Sequence, residues 1–289
     1  MRIICPNPKD FSNEILNHLN KNFFCYFKKM SQKYLDQNLK FYDVIITRFN
    51  HRVKYSKNNN LSYIISPTTG LDHIDKRYFR SKTKIISLQS EYKFLKKINA
   101  SAEFTIYLIL KAFKTFKLYN NNFYNEIYGK NIGVIGYGRI GKKICPILKK
   151  MGAKVFINDV KKDIVPKQNY KKIEELIKSS QLICFCIPLN KSNKGIFNKK
   201  KINLIKKNTI IINTSRGDIF DEKALFSRIK NDKIYYATDV LGDFFIKKYR
   251  EKKMQKKIIY TGHVAGLTNE SVKMTDNFVL KKFLMNIKD

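Results

Sequence analysis

The stretch that decides the fold is residues 130–160, KNIGVIGYGRIGKKICPILKKMGAKVFINDV. Its apolar run at 132–135 predicts a buried strand, because short apolar runs bounded by glycine are typical of strands in parallel sheets. A helical pattern follows from 139 to about 151, and a second apolar run at 154–158 predicts the next strand. The order strand, helix, strand predicts one β-α-β unit that contains a glycine-rich turn.

The glycine-rich turn has the spacing G-x-G-x-x-G. Gly136 permits the tight turn, Gly138 lets the backbone approach a pyrophosphate, and Gly141 lets the helix pack closely on the strand. Arg139 and Ile140 open the helix, whose first N–H groups and positive dipole end favour phosphate. The turn therefore predicts dinucleotide binding, and the alternative is a glycine-rich turn in an ordinary α/β domain.

A carboxylate stands at the end of the second strand. Asp159 lies 18 positions after Gly141, where it can accept hydrogen bonds from both ribose hydroxyls of an adenosine. Because a carboxylate repels a 2′-phosphate, Asp159 favours NAD as the cofactor. Lys161 and Lys162 follow almost at once and leave NADP open as an alternative.

The charge of the chain is strongly positive, with 58 Lys and Arg against 23 Asp and Glu and a net charge of +35. Such a balance can indicate a nucleic-acid partner. The lysines are spread along the whole chain without a block, and Lys, Asn, Ile, Phe and Tyr are all heavily used while Trp is absent. This pattern is typical of an AT-rich coding sequence, so we expect no nucleic-acid partner and a basic field that attracts anionic substrates.

The sequence shows little sign of a membrane-spanning segment, a signal peptide or a metal site. No run reaches the roughly 18 apolar residues that span a bilayer, so we expect no membrane partner. The first residues enter a strand-like run and do not resemble a signal peptide. The five cysteines show no metal-ligand spacing and no disulfide framework, which favours a reducing cytoplasm and no metal site.

The rest of the chain predicts alternating strands and helices. In the first 95 residues the predicted strands are 2–5, 22–27, 42–47, 61–66 and 85–88, with a helix at 10–19 and little signal at 32–37. Later segments predict a helix at 99–119, strands at 182–187, 209–213, 235–240 and 258–261, an irregular stretch at 245–257, and a closing helix at 271–287. Strands spaced by helices favour an α/β fold with parallel sheets.

Four further segments carry a resemblance. They read TTGLDHID at 68–75, ASAEFT at 100–105, NTSRGDIFDEKAL at 213–225 and TGHVAGLTNES at 261–271. Their order and spacing, together with the glycine motif, resemble the D-isomer-specific 2-hydroxyacid dehydrogenases, and among them the D-3-phosphoglycerate dehydrogenase-like members. The segment at 213–225 is the most specific of the four.

This resemblance implies a fold, a reaction and an assembly. The implied fold is two Rossmann-like domains, in which an NAD-binding Rossmann domain at 96–269 is inserted into a flavodoxin-like substrate domain at 1–95 plus 270–289. The implied reaction is hydride transfer between nicotinamide and C2 of a D-2-hydroxy acid or its 2-keto form, in the cleft between the domains. A homodimer is implied as well.

The resemblance also implies which residues do the chemistry. Arg216 holds the substrate carboxylate and polarises the carbonyl, a task that suits its forked guanidinium. His263 gives or takes the proton of the reacting oxygen, since imidazole titrates near neutral pH. Backbone N–H groups of Thr69, Gly70 and Leu71 complete the carboxylate site.

One family element departs from its pattern. A glutamate that orients the histidine normally follows the strand that ends at Asp239, but the corresponding position holds Phe244, and Asp243 lies one residue early. Either Asp243 serves as the third catalytic residue, or the histidine has lost this partner. The second alternative favours a catalytically impaired NAD-binding protein with an interaction or regulatory role. In addition, Gly262 replaces the family's proline before His263.

The remaining predicted cofactor contacts come from the same resemblance. Asp239 accepts from the nicotinamide carboxamide, and Cys186 and Pro188 pass beside the nicotinamide ribose. The other residues assigned to cofactor binding are Thr105, Thr214 and Ser215. Candidates for binding an anionic group on the substrate are Asn50, His51 and Arg52.

Overall fold

A computed structural model describes residues 1–118, 123–232, 234–249 and 252–287, with the backbone alone for residues 252 and 253. The chain forms two compact units. The first joins residues 1–98 to residues 267–289, and the second comprises residues 99–266.

The first unit is built on a five-stranded, all-parallel sheet with the order β2-β1-β3-β4-β5. Its strands are β1 Arg2–Cys5, β2 Phe24–Phe27, β3 Val44–Ile46, β4 Tyr63–Ser66 and β5 Lys84–Ser87. Its helices are α1 Asn13–Asn22, α2 Gln32–Asn38, α3 Tyr92–Leu95 and α11 Asn269–Asn286, the last from the C-terminal segment. This strand order is the flavodoxin-like one that was predicted.

Both faces of this sheet are covered, as a parallel sheet requires. Alternate residues of β1 point to opposite sides, so Ile3 packs with Ile15 and Phe283 of the flanking helices while Ile4 belongs to a second core. The apolar runs that predicted these strands are thus explained by burial on two sides.

The C-terminal helix is tied to the N-terminal segment by a buried ion pair. Arg48 Nη2 lies 2.7 Å from Asp276 Oδ1, and the backbone N–H of Ser12 donates to Asp276 Oδ2 at 2.7 Å. Arg48 Nη1 also donates to the carbonyl of Pro67. A buried charge must be paired to be tolerated. These contacts therefore hold the last helix against residues 1–98 of the same unit.

The second unit contains a six-stranded parallel sheet with the order β11-β10-β9-β8-β6-β7. Its strands are β6 Asn131–Ile135, β7 Lys154–Asn158, β8 Leu182–Phe185, β9 Ile210–Asn213, β10 Tyr235–Thr238 and β11 Ile258–Tyr260. Its helices are α4 Ala100–Phe113, α5 Arg139–Lys150, α6 Ile173–Ser179, α7 Lys199–Asn203, α8 Glu222–Asn231, α9 Asp243–Lys248 and α10 Lys252–Gln255.

A third Rossmann strand is reduced to a single bridge in this sheet. Tyr170 pairs in parallel with Ile157 at the outer side of β7, and Lys171 N donates to the carbonyl of Ile157 at 3.0 Å. Counting this bridge as the third strand gives the Rossmann order 3-2-1-4-5-6, extended by one strand. The predicted α/β class with two parallel sheets is confirmed.

One helix arose where the sequence carried little signal, one local prediction was wrong, and one predicted helix was too long. Residues 32–38 form α2, whose start is capped by Ser31 Oγ accepting from Tyr34 N at 3.2 Å. The stretch predicted to be irregular at 245–257 contains most of α9 and all of α10. The helix predicted at 99–119 ends at Phe113, and residue 119 lies outside the described residues.

Within the described ranges, no helix is both long enough and apolar enough to cross a membrane.

Candidate active site

The glycine turn after β6 is held by two close backbone approaches. Gly136 has φ +99°, and a Cβ placed on it would lie 2.7 Å from the carbonyl oxygen of Cys186. A Cβ on Gly141 would collide with the carbonyl oxygen of Gly136. Both positions therefore need glycine for the protein's own packing, which joins the turn to α5 and to the end of β8.

Gly138 needs a different explanation. No atom lies within 4 Å of the position that its Cβ would take, and the residue is exposed as the N-cap of α5. The protein's own packing therefore does not demand glycine here, whereas close approach by a ligand would. With Arg139 and Ile140 opening the twelve-residue α5 behind it, the turn fits a pyrophosphate. Burial lowers the pKa of the Arg139 guanidinium below its ordinary value.

Asp159 is positioned by backbone donors at the end of β7. Its Oδ2 accepts from Tyr137 N in the glycine turn at 2.6 Å, and its Oδ1 accepts from Lys161 N at 2.9 Å. The carboxylate is thus oriented beside the glycine turn, where a ribose would follow the pyrophosphate. The Lys162 ammonium lies 5.8 Å from the ring centroid of Tyr170.

A pair of threonine hydroxyls joins α4 to the turn after β9. Thr105 Oγ1 donates to the carbonyl of Ser101 at 2.6 Å and lies 2.9 Å from Thr214 Oγ1. A hydroxyl has one hydrogen, so Thr214 must be the donor to Thr105 and can only accept from a ligand. Thr105 itself is fully buried and supports Thr214, and its predicted part in cofactor binding stays a prediction.

The turn that carries Arg216 is pinned from three sides. Asn213 Oδ1 accepts from Ser215 N at 2.9 Å, and Asn213 Nδ2 donates to the carbonyl of Arg216 at 3.0 Å. Ser215 Oγ donates to the carbonyl of Phe185 at 2.9 Å, and Arg216 Nη1 donates to the carbonyl of Ser215 at 2.8 Å. Gly217 follows because its Cβ would collide with the backbone of Gly242.

The loop that carries His263 is wrapped around Asp239. The carboxylate of Asp239 accepts from Thr261 Oγ1 at 2.6 Å and from the backbone N–H groups of Val264 and Ala265, both at 2.9 Å. His263 N donates to the carbonyl of Asp239 at 2.7 Å. Asp239 is 1% exposed. Three of the roughly four acceptor positions of the carboxylate are used within the protein. Asp239 thus anchors the histidine loop, and its role as a carboxamide acceptor stays a prediction.

The backbone of this loop is left-handed at two successive residues. Gly262 has φ +87° and His263 has φ +64°. Proline, which fixes φ near −65°, cannot adopt the conformation seen at 262. Gly262, which replaces the family's proline, therefore gives the backbone a different path before the histidine. The backbone of His263 is itself left-handed, a conformation that costs an L-residue energy.

Asp243 and Phe244 lie at the start of α9, after the strand that ends beside Asp239. Asp243 is exposed in the first turn of this helix. Phe244 packs edge-to-face against Phe226 and Phe245 at ring separations of 5.5 and 6.2 Å. An aromatic ring committed to this cluster thus stands where the family pattern has its glutamate, and a catalytic role for Asp243 stays a prediction.

Glu222 lies in the motif at 213–225, but no structural role was predicted for it. Its carboxylate accepts from Gly242 N at 2.9 Å and from Phe244 N at 3.1 Å, which caps α9. Burial raises the pKa of Glu222, and the two backbone N–H groups oppose that shift. Its partners are 20 and 22 residues away, so no local signal could have indicated this role.

Cys186 and Pro188 follow β8 directly. Cys186 is half-buried and its Sγ lies 3.8 Å from Cys184 Sγ, on the same side of the strand. Pro188 is exposed, and its carbonyl accepts from Asn193 Nδ2. The backbone between them packs on Gly136, so this segment borders the glycine turn.

The predicted substrate loop belongs to the first unit. Thr69 is exposed, Gly70 is half-buried and Leu71 is buried. Of the candidates for an anionic group, His51 is buried with Nε2 2.9 Å from the carbonyl of Met30, and Asn50 Nδ2 donates to Asp10 Oδ2. Asn50 and Arg52 are both exposed, whereas His51 is buried. A role for these residues in binding an anionic group stays a prediction.

Among the residues that the structure describes, no group of three His, Cys, Asp or Glu side chains is placed to hold a metal ion.

Comparison with known proteins decides the family. Residues 106–265, more than half of the chain, match the sequence profile of the D-isomer specific 2-hydroxyacid dehydrogenase, NAD binding domain. The chain belongs to the D-isomer specific 2-hydroxyacid dehydrogenase family. The resemblance seen in the motifs is therefore confirmed.

Individual relatives of this family member carry different names. It is 31% identical over 162 residues to the D-3-phosphoglycerate dehydrogenase of Methanocaldococcus jannaschii, covering 54% of this chain and 31% of the relative. It is 30% identical over 208 residues to the erythronate-4-phosphate dehydrogenase of Wigglesworthia glossinidia brevipalpis, covering 68% and 51%. The matched part of the chain thus spans a third to a half of these curated relatives.

Solved structures agree on the fold. The D-lactate dehydrogenase of Aquifex aeolicus, complexed with NAD and lactic acid, superposes with a TM-score of 0.79 at 23% identity, covering 100% of this chain and 96% of that one. The NAD-bound 3-phosphoglycerate dehydrogenase of Entamoeba histolytica gives 0.75 at 22% identity, covering 98% and 94%. At this identity the likeness shows the fold alone.

Proposed function

We propose that this dehydrogenase-family protein transfers a hydride between a nicotinamide dinucleotide and C2 of a D-2-hydroxy acid or its 2-keto form. One observation carries the proposal: every strand of the six-stranded sheet is followed, within three residues, by a predicted site residue. In sheet order from β7 these are Asp159, Gly136, Cys186, Thr214 to Arg216, Asp239 and His263. Ligands of open α/β sheets bind at the carboxyl ends of the strands.

The chain's own residues would handle the substrate as follows. Arg216 binds the carboxylate of the 2-keto acid and polarises its carbonyl, through the two parallel N–H groups of the guanidinium. His263 gives a proton to the carbonyl oxygen during reduction and takes it back during oxidation. The backbone N–H groups of Thr69 to Leu71 are proposed to bind the same carboxylate. A bound nicotinamide supplies or accepts the hydride.

We propose NAD as the preferred cofactor, because Asp159 is already oriented by two backbone bonds and would repel a 2′-phosphate. Lys161 and Lys162 keep NADP as the alternative. Titrating the protein with NADH and NADPH, followed by nucleotide fluorescence, tests the order of affinity. Tighter binding of NADPH than of NADH would contradict the proposed preference. Asp159→Ala should reduce the difference in affinity between the two nucleotides.

The substrate side chain stays open within this class. The relatives are named for phosphoglycerate, erythronate 4-phosphate and, in a hydroxypyruvate reductase of Blautia hydrogenotrophica 35% identical over 152 residues, hydroxypyruvate. We propose a small phosphorylated or sugar-derived 2-keto acid, and the net charge of +35 supports an anionic substrate.

The test is an absorbance assay of NADH and NADPH oxidation with the purified protein. The panel contains hydroxypyruvate, 3-phosphohydroxypyruvate, glyoxylate and 2-oxoglutarate. Reduction of at least one acid, lost in Arg216→Gln, is the expected result. A protein that binds NADH but reduces none of them would overturn the proposed activity.

The position of Phe244 favours a second function. Because this ring takes the place of the family's glutamate, the chain can alternatively be an NAD-binding interaction or regulatory protein with little turnover. Tight NADH binding without reduction of any acid in the panel would support this function over the first.

Two properties of the whole protein stay proposals. All five cysteines are free thiols, which supports a reducing cytoplasm.

A homodimer is proposed from the family resemblance, and sedimentation analysis would test it.

A further inference from the structure

The loop proposed to bind the substrate carboxylate is held by a buried chain of hydrogen bonds. Thr68 Oγ1 donates to the carbonyl of Gly70 at 2.9 Å, Ser66 Oγ lies 2.9 Å from Thr68 Oγ1, and His73 Nε2 lies 3.1 Å from Ser66 Oγ. The side chains of Ser66, Thr68 and His73 are 0%, 4% and 5% exposed. Polar groups at this depth are costly unless they are bonded.

The directions of these bonds follow from the number of hydrogens. A carbonyl can only accept, so the single hydrogen of the Thr68 hydroxyl goes to Gly70. The Ser66 hydroxyl must then donate to Thr68, and His73 must donate to Ser66 through Nε2. Every bond thus runs from His73 through Ser66 and Thr68 to the Gly70 carbonyl.

The last bond fixes the orientation of a peptide plane. A trans peptide is planar, and its C=O and N–H point in opposite directions. The chain has no cis peptide among its described residues. Holding the Gly70 carbonyl toward Thr68 therefore turns the Leu71 N–H away from the buried hydroxyls.

A second peptide of the loop is fixed in the same way. Leu88 N donates to the carbonyl of Thr68 at 3.1 Å, which turns the N–H of Thr69 away from β5. Within the described part of the chain, neither the Thr69 N–H nor the Leu71 N–H has an acceptor. Two N–H groups, two residues apart, are thus oriented and available to a carboxylate.

We propose that Ser66, Thr68 and His73 are positioning residues, which set the direction of the Leu71 N–H for the carboxylate of the substrate. This inference rests on the proposed function of the loop. The three side chains lie behind the loop and act through Gly70, so their effect should appear in substrate binding and leave cofactor binding unchanged.

The test compares Thr68→Val with a matched control. Thr68→Val keeps the shape of the side chain and removes the donor to Gly70. Thr83→Val removes an equivalent bond in the same unit, from Thr83 Oγ1 to the carbonyl of Leu61 at 2.8 Å, away from the loop. The measurements are KM and kcat for a 2-oxo acid that the wild type reduces, the Kd of NADH, and the melting temperature.

Thr68→Val is expected to raise KM by about tenfold or more, as loss of one such bond implies, with the Kd of NADH unchanged. Thr68→Ser should restore the wild-type KM. Ser66→Ala should raise KM less, since the bond from Thr68 to Gly70 survives, and should add nothing in the Thr68→Val background. Thr83→Val should lower the melting temperature without a change in KM. An unchanged KM in Thr68→Val, or an equal rise in Thr83→Val, overturns the inference.

The wild type decides the proposed function separately. If it reduces no 2-oxo acid, that function fails, and the inference is judged on binding of oxamate, an unreactive analogue. Oxamate should shift the backbone amide resonances of Thr69 and Leu71 in the wild type and shift them much less in Thr68→Val. Equal shifts in both proteins, or none in the wild type, would overturn the inference.

Discussion

At the scale of single residues, the proposed role of Arg216 in binding the substrate carboxylate makes a direct prediction. Arg216→Gln removes the charge and the forked donors while keeping a side chain of similar length. Loss of two charge-assisted hydrogen bonds predicts a fall in kcat/KM on the order of a hundredfold or more. Steady-state kinetics with NADH measures it. The control is the Kd of NADH, which should stay the same, and a fall below threefold in kcat/KM would contradict the assignment.

The thiols give a second prediction at this scale. Burial raises the pKa of Cys145 to about 12, and the contact with Cys186 together with burial raises the pKa of Cys184 well above its ordinary value. The thiolate is the reactive form, so at pH 8 both should resist iodoacetamide. Half-buried Cys186, beside the glycine turn, should react first and should be protected by NADH.

Peptide mass spectrometry after timed labelling measures these rates. Cys25 is the internal control, since it is half-buried in the other unit and burial raises its pKa to about 11. Its slow labelling should not depend on NADH. Labelling of Cys145 as fast as Cys186 would contradict the predicted effect of burial on Cys145. No protection of Cys186 by NADH would show that the cofactor does not pass this segment.

Short motifs predicted the glycine-rich turn, because the backbone that such a turn requires is local. The spacing of Gly136 and Gly141 reflects contacts within one turn and its neighbours. The contacts of Glu222 with the start of α9 and of Asp239 with the histidine loop were not predicted, because their partners lie 20 to 26 residues away in the chain.

At the scale of elements, the loop before His263 makes a sharp prediction. Gly262 and Gly266 both have open space where a Cβ would be, but only Gly262 has a left-handed backbone, at φ +87°. Gly262→Ala should therefore cost about 1–2 kcal/mol of strain and lower kcat by shifting His263. Gly266→Ala is the matched control and should change little. Equal kcat values in the two variants would argue against the strained loop.

The turn between β10 and α9 gives the next prediction. Glu222→Ala removes the acceptor for Gly242 N and Phe244 N, and loss of such caps costs about 1–2 kcal/mol. Thermal unfolding measures this loss, and hydrogen exchange should speed up at 242–246. Asp221→Ala is the control, because Asp221 caps α8 through Ala224 N and leaves α9 alone. Faster exchange in α9 of the control would contradict the role of Glu222.

Elements with a strong apolar pattern were predicted, and α2, which has a weak one, was not. β6 and β8 are buried on both faces, so their sequences are nearly all apolar. α2 carries mostly polar residues and buries Leu35 alone, so its pattern is weak. Its signal was Ser31 at the N-cap position.

At the scale of the whole molecule, the two parallel sheets follow from alternating strands and helices, and their strand orders follow family topology. Sequence could not show that the third strand of the second sheet shrinks to the bridge at Tyr170, since a single pair leaves no periodic pattern. The return of the last helix depends on the ion pair of Arg48 with Asp276, which joins residues 228 positions apart.

The central claim is hydride transfer to C2 of a 2-keto acid, and isotope transfer tests it most directly. The protein is incubated with NADH that carries deuterium at both C4 positions and with the acid that it reduces, and the product is examined by NMR and chiral chromatography. The account predicts deuterium at C2 of a hydroxy acid of D configuration. Deuterium absent from C2, or a product of L configuration, would contradict it.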